Sequence, residues 1–180
     1  MSRRSPSPHP MRAGAVLATA LWASALPAHA AENFLELTQD GAELSAAVTQ
    51  EVTGGHASLA QAGTGHLTEL MQAGASSAAI TQQGAGHRAI VTQGDAYVAA
   101  SYLDLVQQGA GHSASIWQDG GNQADILQSG AGNGIELMQI GPGNALSQTQ
   151  VGEGLSIGVT QMGGATVIIS QSAPQAGSGP

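Results

Sequence analysis

No cysteine occurs among the 180 residues, so neither a disulfide framework nor a thiolate metal site can hold this chain together. Basic residues are nearly as scarce: Arg3, Arg4, Arg12 and Arg88 stand against twelve acids. Phosphate backbones and anionic lipid surfaces need basic side chains, so the charge argues against nucleic acid and membrane surface as partners. Aromatic residues make up 3% of the chain, and after residue 30 they are Phe34, Tyr97, Tyr102 and Trp117. A globular core of the usual kind is not available. Such a Gly- and Gln-rich composition on its own would suit disorder. The order of the residues excludes that, because random low-complexity sequence keeps no register.

What the chain does have is a ladder of glutamines. Gln39, Gln50, Gln61, Gln72, Gln82, Gln93, Gln107, Gln118, Gln128, Gln139, Gln150, Gln161 and Gln171 recur at spacings of 10, 11 and, once, 14 residues. Two residues before each sits an aliphatic residue such as Leu59, Ile80 or Leu105, with Gln148 as the one exception. Four before is a small or aliphatic residue, often Ala. Six before is Asn, His or Ser in nine cases: Asn33, His66, Ser76, His87, Ser101, His112, Asn122, Asn133 and Asn144. Steps of two place all four sites on one face of a β-strand, whereas a helix would scatter them. The spacing irregularities fall outside this unit. Gly stands two after Gln in ten of thirteen cases, so insertions land in turns while strand register is kept.

Strands of six or seven residues joined by three- or four-residue turns suit a two-strand coil. The expected fold is all-β: a β-solenoid of about six to seven rungs over residues 31–173, with the glutamines stacked at ~4.8 Å and bonded to their own kind. Residues 94–100 form one long turn around Tyr97, and Gln83 and Gln108 are placed in turns. Residues 1–30 read as a signal peptide: a basic start, an apolar run from Ala13 to Leu26, and Ala28-His29-Ala30 as the cleavage site, with the cut after Ala30. From Ala31 on, twelve acids face one arginine, a formal charge of −11. Residues 174–180 read as a flexible tail.

With Gln61-x-Gly63-x-x-His66 and Ser101-x5-Gln107-x-Gly109-x-x-His112-x-Ala114-x3-Gln118 in view, the chain resembles the curlins, secreted bacterial subunits of the amyloid fibres called curli. Their repeat is Ser-x5-Gln-x-Gly-x-x-Asn-x-Ala-x3-Gln; here three Asn sites hold His. The resemblance covers nearly all of residues 33–171. It implies an extracellular fibre at the bacterial surface, serving biofilm matrix, adhesion and cell aggregation. It also implies a second curlin subunit, an outer-membrane secretion channel and accessory factors as partners. Whether the chain is the major subunit or the nucleating one stays open.

Placing alternate units on alternate sheets stacks His66, His87 and His112 at one inner corner, followed by Asn133. Neutral imidazoles there would substitute for Asn in a hydrogen-bonded series, ring to ring; a linear array at strand spacing does not preform a tetrahedral metal site. His56 is off the inward register and is assigned to a turn. Glu36, Glu69, Asp104, Asp125 and Glu136 sit three before a Gln and face outward, as a solvated face or as gatekeepers against aggregation. No catalytic residues, metal site, cofactor or small-molecule substrate is expected. The competing reading is a monomeric secreted solenoid that binds a polysaccharide or ice, which would want a regular outward array.

Overall fold

Period-two alternation gives each strand a small-or-aliphatic inner face that ends on glutamine, and two such faces bury one another only if the chain coils. In the computed structural model, residues 17–19, 32–51, 54–94 and 99–173 are described. One sheet, here called the odd sheet, holds β1 (Leu17–Thr19), β3 (Ser45–Gln50), β5 (Leu67–Gln72), β7 (Arg88–Gly94), β9 (Ser113–Asp119), β11 (Gly134–Ile140) and β13 (Ser156–Met162) in that order. The even sheet holds β2 (Phe34–Ala42), β4 (His56–Thr64), β6 (Ser77–Ala85), β8 (Tyr102–Ala110), β10 (Gln123–Ala131), β12 (Ala145–Glu153) and β14 (Thr166–Ser172). All pairings are parallel, and no helix occurs among the described residues. Strands β2 to β14 thus form a β-solenoid of two strands per rung.

Register holds throughout. Gln39 pairs with Gln61 and so on to Gln171 in the even sheet, and Gln50 with Gln72 and so on to Gln161 in the odd sheet. The core between the sheets is two columns of aliphatic side chains, among them Leu59, Ile80, Leu105 and Ile126 facing Leu70, Val91, Ile116 and Leu137, all buried. At the coil's two ends the same positions are open: Leu35, Leu37, Val167 and Ile169 are only partly buried.

The two sheets differ where equal strands were expected. The seven-residue β14 aside, even strands run nine residues, while β3 to β13 run six or seven. The glycine two after Gln in the even strands β2 to β12 is extended, with φ of +114° to +143°, whereas the glycine two after an odd-sheet Gln, where there is one, has φ of +65° to +87° and turns. Gly63 has φ +126° and continues the ladder rather than turning, and a Cβ there would lie 1.9 Å from the Gly84 carbonyl oxygen of the next rung. The even strands therefore run on past their glutamines and close with two-residue corners, such as Gly65-His66. Gln83 and Gln108 consequently lie in β6 and β8, register partners with exposed side chains, and not in turns. His56 opens β4, also outside a turn, with its ring 5.7 Å from that of Phe34.

β1 falls within the expected leader and pairs Leu17–Thr19 with Ser45–Ala47. The cleavage site at Ala30, the centre of the long turn with Tyr97, and the tail at 174–180 lie outside the described residues.

Candidate functional site

Each strand ends its inner face on a glutamine whose amide has nowhere to go but along the coil. In the even sheet Gln39 Nε2 donates to Gln61 Oε1 at 2.7 Å, and the series continues through Gln82, Gln107, Gln128 and Gln150 to Gln171 at 2.8–2.9 Å. In the odd sheet Gln50 donates to Gln72, and the series runs through Gln93, Gln118 and Gln139 to Gln161 at 2.7–3.0 Å. Every one of these bonds has the same sense, from Nε2 of one rung to Oε1 of the next.

The second N–H of most of these amides crosses to the facing sheet. Gln72 Nε2 donates to His56 O at 3.1 Å, Gln118 to Tyr102 O at 3.2 Å, and Gln150 to Gly134 O at 3.2 Å. These contacts tie the sheets together and use up the amide's donors. Burial without such partners would cost more than any one bond contributes, which favours a ladder over isolated glutamines.

A second set of ladders runs up the corners. Asn133 shows the pattern: Nδ2 donates to Ser129 O at 3.0 Å, and Oδ1 accepts from Leu155 N–H at 3.0 Å in the next rung. Asn144 does the same with Ile140 O and Ala165 N–H. Asn33 Oδ1 accepts from Gly55 N–H, and Asn122 Oδ1 from Asn144 N–H. Ser76 and Ser101 offer only a hydroxyl to the next N–H, at 3.3 and 3.4 Å.

The imidazoles follow this pattern, and not the one expected of them. His66, His87 and His112 are buried and stacked, with centroids 4.9 Å apart at both steps and ring planes within 4°. They do not bond ring to ring. Nε2 of each meets the carbonyl four residues back, at Ala62, Gln83 and Gln108. Nδ1 accepts the next rung's backbone N–H, from His87, His112 and Asn133 at 3.1–3.2 Å. A carbonyl only accepts and an N–H only donates, so Nε2 carries the proton and Nδ1 is bare. In-line stacking at strand spacing points each ring's nitrogens sideways, into backbone, and away from the next ring.

Protonation would set an N–H on Nδ1 against a backbone N–H. Burial lowers the His87 pKa from its ordinary 6.5; the backbone bond to Gln83 opposes this, and His112 and His66 add to the lowering. The folded state then binds fewer protons than the unfolded chain below pH 6.5. The His87 contribution is therefore present above that pH and is lost as pH falls toward the lowered value. Both nitrogens of each ring are engaged, which leaves no lone pair for a metal. Among the described residues no three His, Cys, Asp or Glu side chains gather in a metal-binding arrangement.

On the even sheet's outer face Asp104 and Asp125 are register partners. Burial, then the neighbouring Asp125 charge, raises the Asp104 pKa above its ordinary 3.8. Glu36, Glu69 and Glu136 pair with Ser, Ala, Ile or Gly and form no such stack. The outward column before the odd-sheet glutamines is mixed: Met71 and Trp117 are exposed beside threonines.

Three inner residues escaped the sequence reading. Thr68, fully buried, donates to Gln82 Oε1 at 3.0 Å and accepts from Gln61 Nε2 at 3.1 Å, so it joins the even ladder from the facing sheet. Leu44 and Gly55 occupy corner positions without a polar side chain and break the corner columns. Thr68 stands where every other unit carries alanine or a larger aliphatic residue, and that one polar departure was its only signal.

No protein-family model, curated protein or solved structure matches the chain.

Proposed function

We propose that this chain is a secreted, curlin-like structural subunit that polymerises into extracellular amyloid fibres. The observation that carries the reading is the pair of open coil ends. Inner residues Leu35 and Leu37 of β2 at one end, and Ile157, Val159, Val167 and Ile169 of β13 and β14 at the other, are only partly buried. The glutamine ladder reaches both ends, and the one described strand laid on an end is β1, beside β3 and within the expected leader. Parallel strand edges of this kind template the addition of another strand, and a coil of stacked identical side chains gains from each added rung. The charge of −11 after Ala30 supports solubility before assembly. The resemblance adds what physics does not: an outer-surface location in bacteria, roles in biofilm matrix, adhesion and aggregation, a second curlin subunit, and export through an outer-membrane channel. No catalytic role is proposed.

The test is to incubate the chain from Ala31 on with thioflavin T and image the product by electron microscopy. Unbranched fibres with a ~4.8 Å meridional reflection are expected. A soluble monomer that persists for days at tens of micromolar would instead favour a solenoid that binds polysaccharide or ice.

A further inference from the structure

Once cleavage after Ala30 has removed β1, which otherwise pairs with β3 on the odd sheet, the described strands of the coil are odd in number, and this fixes how one mature copy can follow another. Strands β2 to β14 make thirteen, so six full rungs are followed by β14 alone on the even sheet. The odd sheet stops one strand lower, at β13. A second copy set on this end in the same orientation would lay its β2 on β14. That leaves a vacancy one strand high between β13 and the β3 of the newcomer. Edges facing across such a slot stand ~10 Å apart, twice the strand spacing, and cannot bond to one another. Their backbone groups and the inner faces of Ile157 and Val159 would go unpaired.

Resting on the polymerisation reading, we infer that successive copies of this chain are rotated by 180° about the coil axis, so that β2 of one copy pairs with β13 of the preceding copy and β3 pairs with β14. The unit of every strand is the same on both sheets, so β2 can take an odd-sheet position without a change of inner face. The ladders join with correct sense. Gln171 presents Nε2 at one end. Gln161 Nε2 donates there to Ala145 O and Ala165 O, a pattern that Gln72 combines with its ladder bond to Gln93. No described residue donates to Gln39 Oε1 or Gln50 Oε1 at the other end. Rotation sets Gln161 on Gln39 and Gln171 on Gln50. The slot beside β3 accepts a parallel strand in this structure, since β1 occupies it. In the fibre that slot passes to β14 of the preceding copy. Each copy then advances the fibre by six and a half rungs, ~31 Å, against ~34 Å for unrotated stacking.

The absence of cysteine makes cross-linking a clean test. Thr38, Thr49, Thr160 and Ser170 are exposed and each precedes its strand's glutamine. Neighbouring in-register strands place Cα atoms within disulfide range. Fibres of Thr38→Cys/Thr160→Cys and of Thr49→Cys/Ser170→Cys, oxidised after assembly, are expected to run as covalent multimers on non-reducing gels. Thr38→Cys/Ser170→Cys should stay monomeric. Cross-linking of that third pair, or of none, overturns the rotated arrangement while leaving polymerisation intact. A chain that forms no fibres overturns both. Electron cryo-microscopy of wild-type fibres reads the same geometry without substitutions: a 180° rotation every ~31 Å is expected, and an unrotated ~34 Å repeat refutes it.

Discussion

Gln148 is the position where a substitution should improve the molecule. It stands in the aliphatic column of the even sheet, with Ile126 below and Ile169 above, and it is 1% exposed. Neither Nε2 nor Oε1 has a hydrogen-bond partner. An unpaired buried amide costs about 1–3 kcal/mol, and an aliphatic side chain of similar size would add apolar burial. Gln148→Leu should therefore stabilise the coil by about 2–3 kcal/mol, or roughly 5–10 °C in Tm. Gln150, two residues on in the same strand, is the control. It is equally buried, accepts from Gln128, and donates to Gln171 and Gly134 O. Gln150→Leu leaves those partners stranded and should destabilise by about 2–4 kcal/mol. The assay is denaturant unfolding followed by circular dichroism, with the slope unchanged so that midpoints compare directly. Opposite signs for two Gln→Leu changes in one strand are the expected result. A loss of stability in Gln148→Leu would mean that its amide is paired, and would refute the reasoning.

Gln107→Leu and Gln128→Leu each cut two ladder joints and should slow thioflavin T growth several-fold, whereas Gln83→Leu and Gln108→Leu, on the outer face, should not; equal growth curves for all four would remove the ladder from the mechanism. Gly63→Ala should cost about 2–4 kcal/mol, since its Cβ meets backbone at a positive φ, while Gly86→Ala, with open space around it, should cost about 1 kcal/mol; denaturant midpoints separate the two. The triple variant His66→Asn, His87→Asn, His112→Asn should assemble faster than wild type at pH 5 and similarly at pH 7.5, because Asn133 shows that Asn makes both corner bonds without a proton to gain. A variant-to-wild-type ratio of half-times that is unchanged between the two pH values would count against it. Asp104 acts in the opposite direction: its raised pKa makes the folded state bind more protons than the unfolded chain as pH falls toward 3.8, so assembly should accelerate there, and Asp104→Asn should flatten that acceleration.

The coil, its register and its buried columns were legible because period two and a fixed Gln position leave one inner face and one pairing. The Gln107-to-Gln128 bond and the stacking of His66, His87 and His112 follow from register alone. What the imidazoles bond to did not follow. Register gives the spacing of two rings but not the direction of their nitrogens, which depends on backbone carbonyls four residues back. The unequal strands were hidden for a similar reason. A glycine two after glutamine looks the same in both sheets, yet Gly63 extends its strand while Gly74, at φ +87°, leads into the turn before Ser76. The difference lies in the Gly84 carbonyl stacked beside Gly63, a contact between rungs. Its trace in the sequence is a second glycine, as in Gln61-x-Gly63-x-Gly65, which five even strands carry and which recurs in the odd sheet only after Gln139.

The sense of the amide ladder was equally out of reach, and it follows from cooperativity. Glutamine has no preferred end along the coil, and a lone amide could point either way. Within a stack the choice is collective. Reversing Gln107 alone would set oxygen against oxygen at one joint and nitrogen against nitrogen at the other, forfeiting the bonds to Gln82 and Gln128 together. A fault in the middle of a column therefore costs two joints, whereas an end residue risks one. Each column settles into a single sense, and both columns here share it. The consequence is chemical asymmetry: one end of the coil presents amide oxygens and the other presents N–H donors. An incoming copy meets a matching ladder only when it arrives with the same polarity. Antiparallel joining of two coil ends would bring like atoms together in both columns at once.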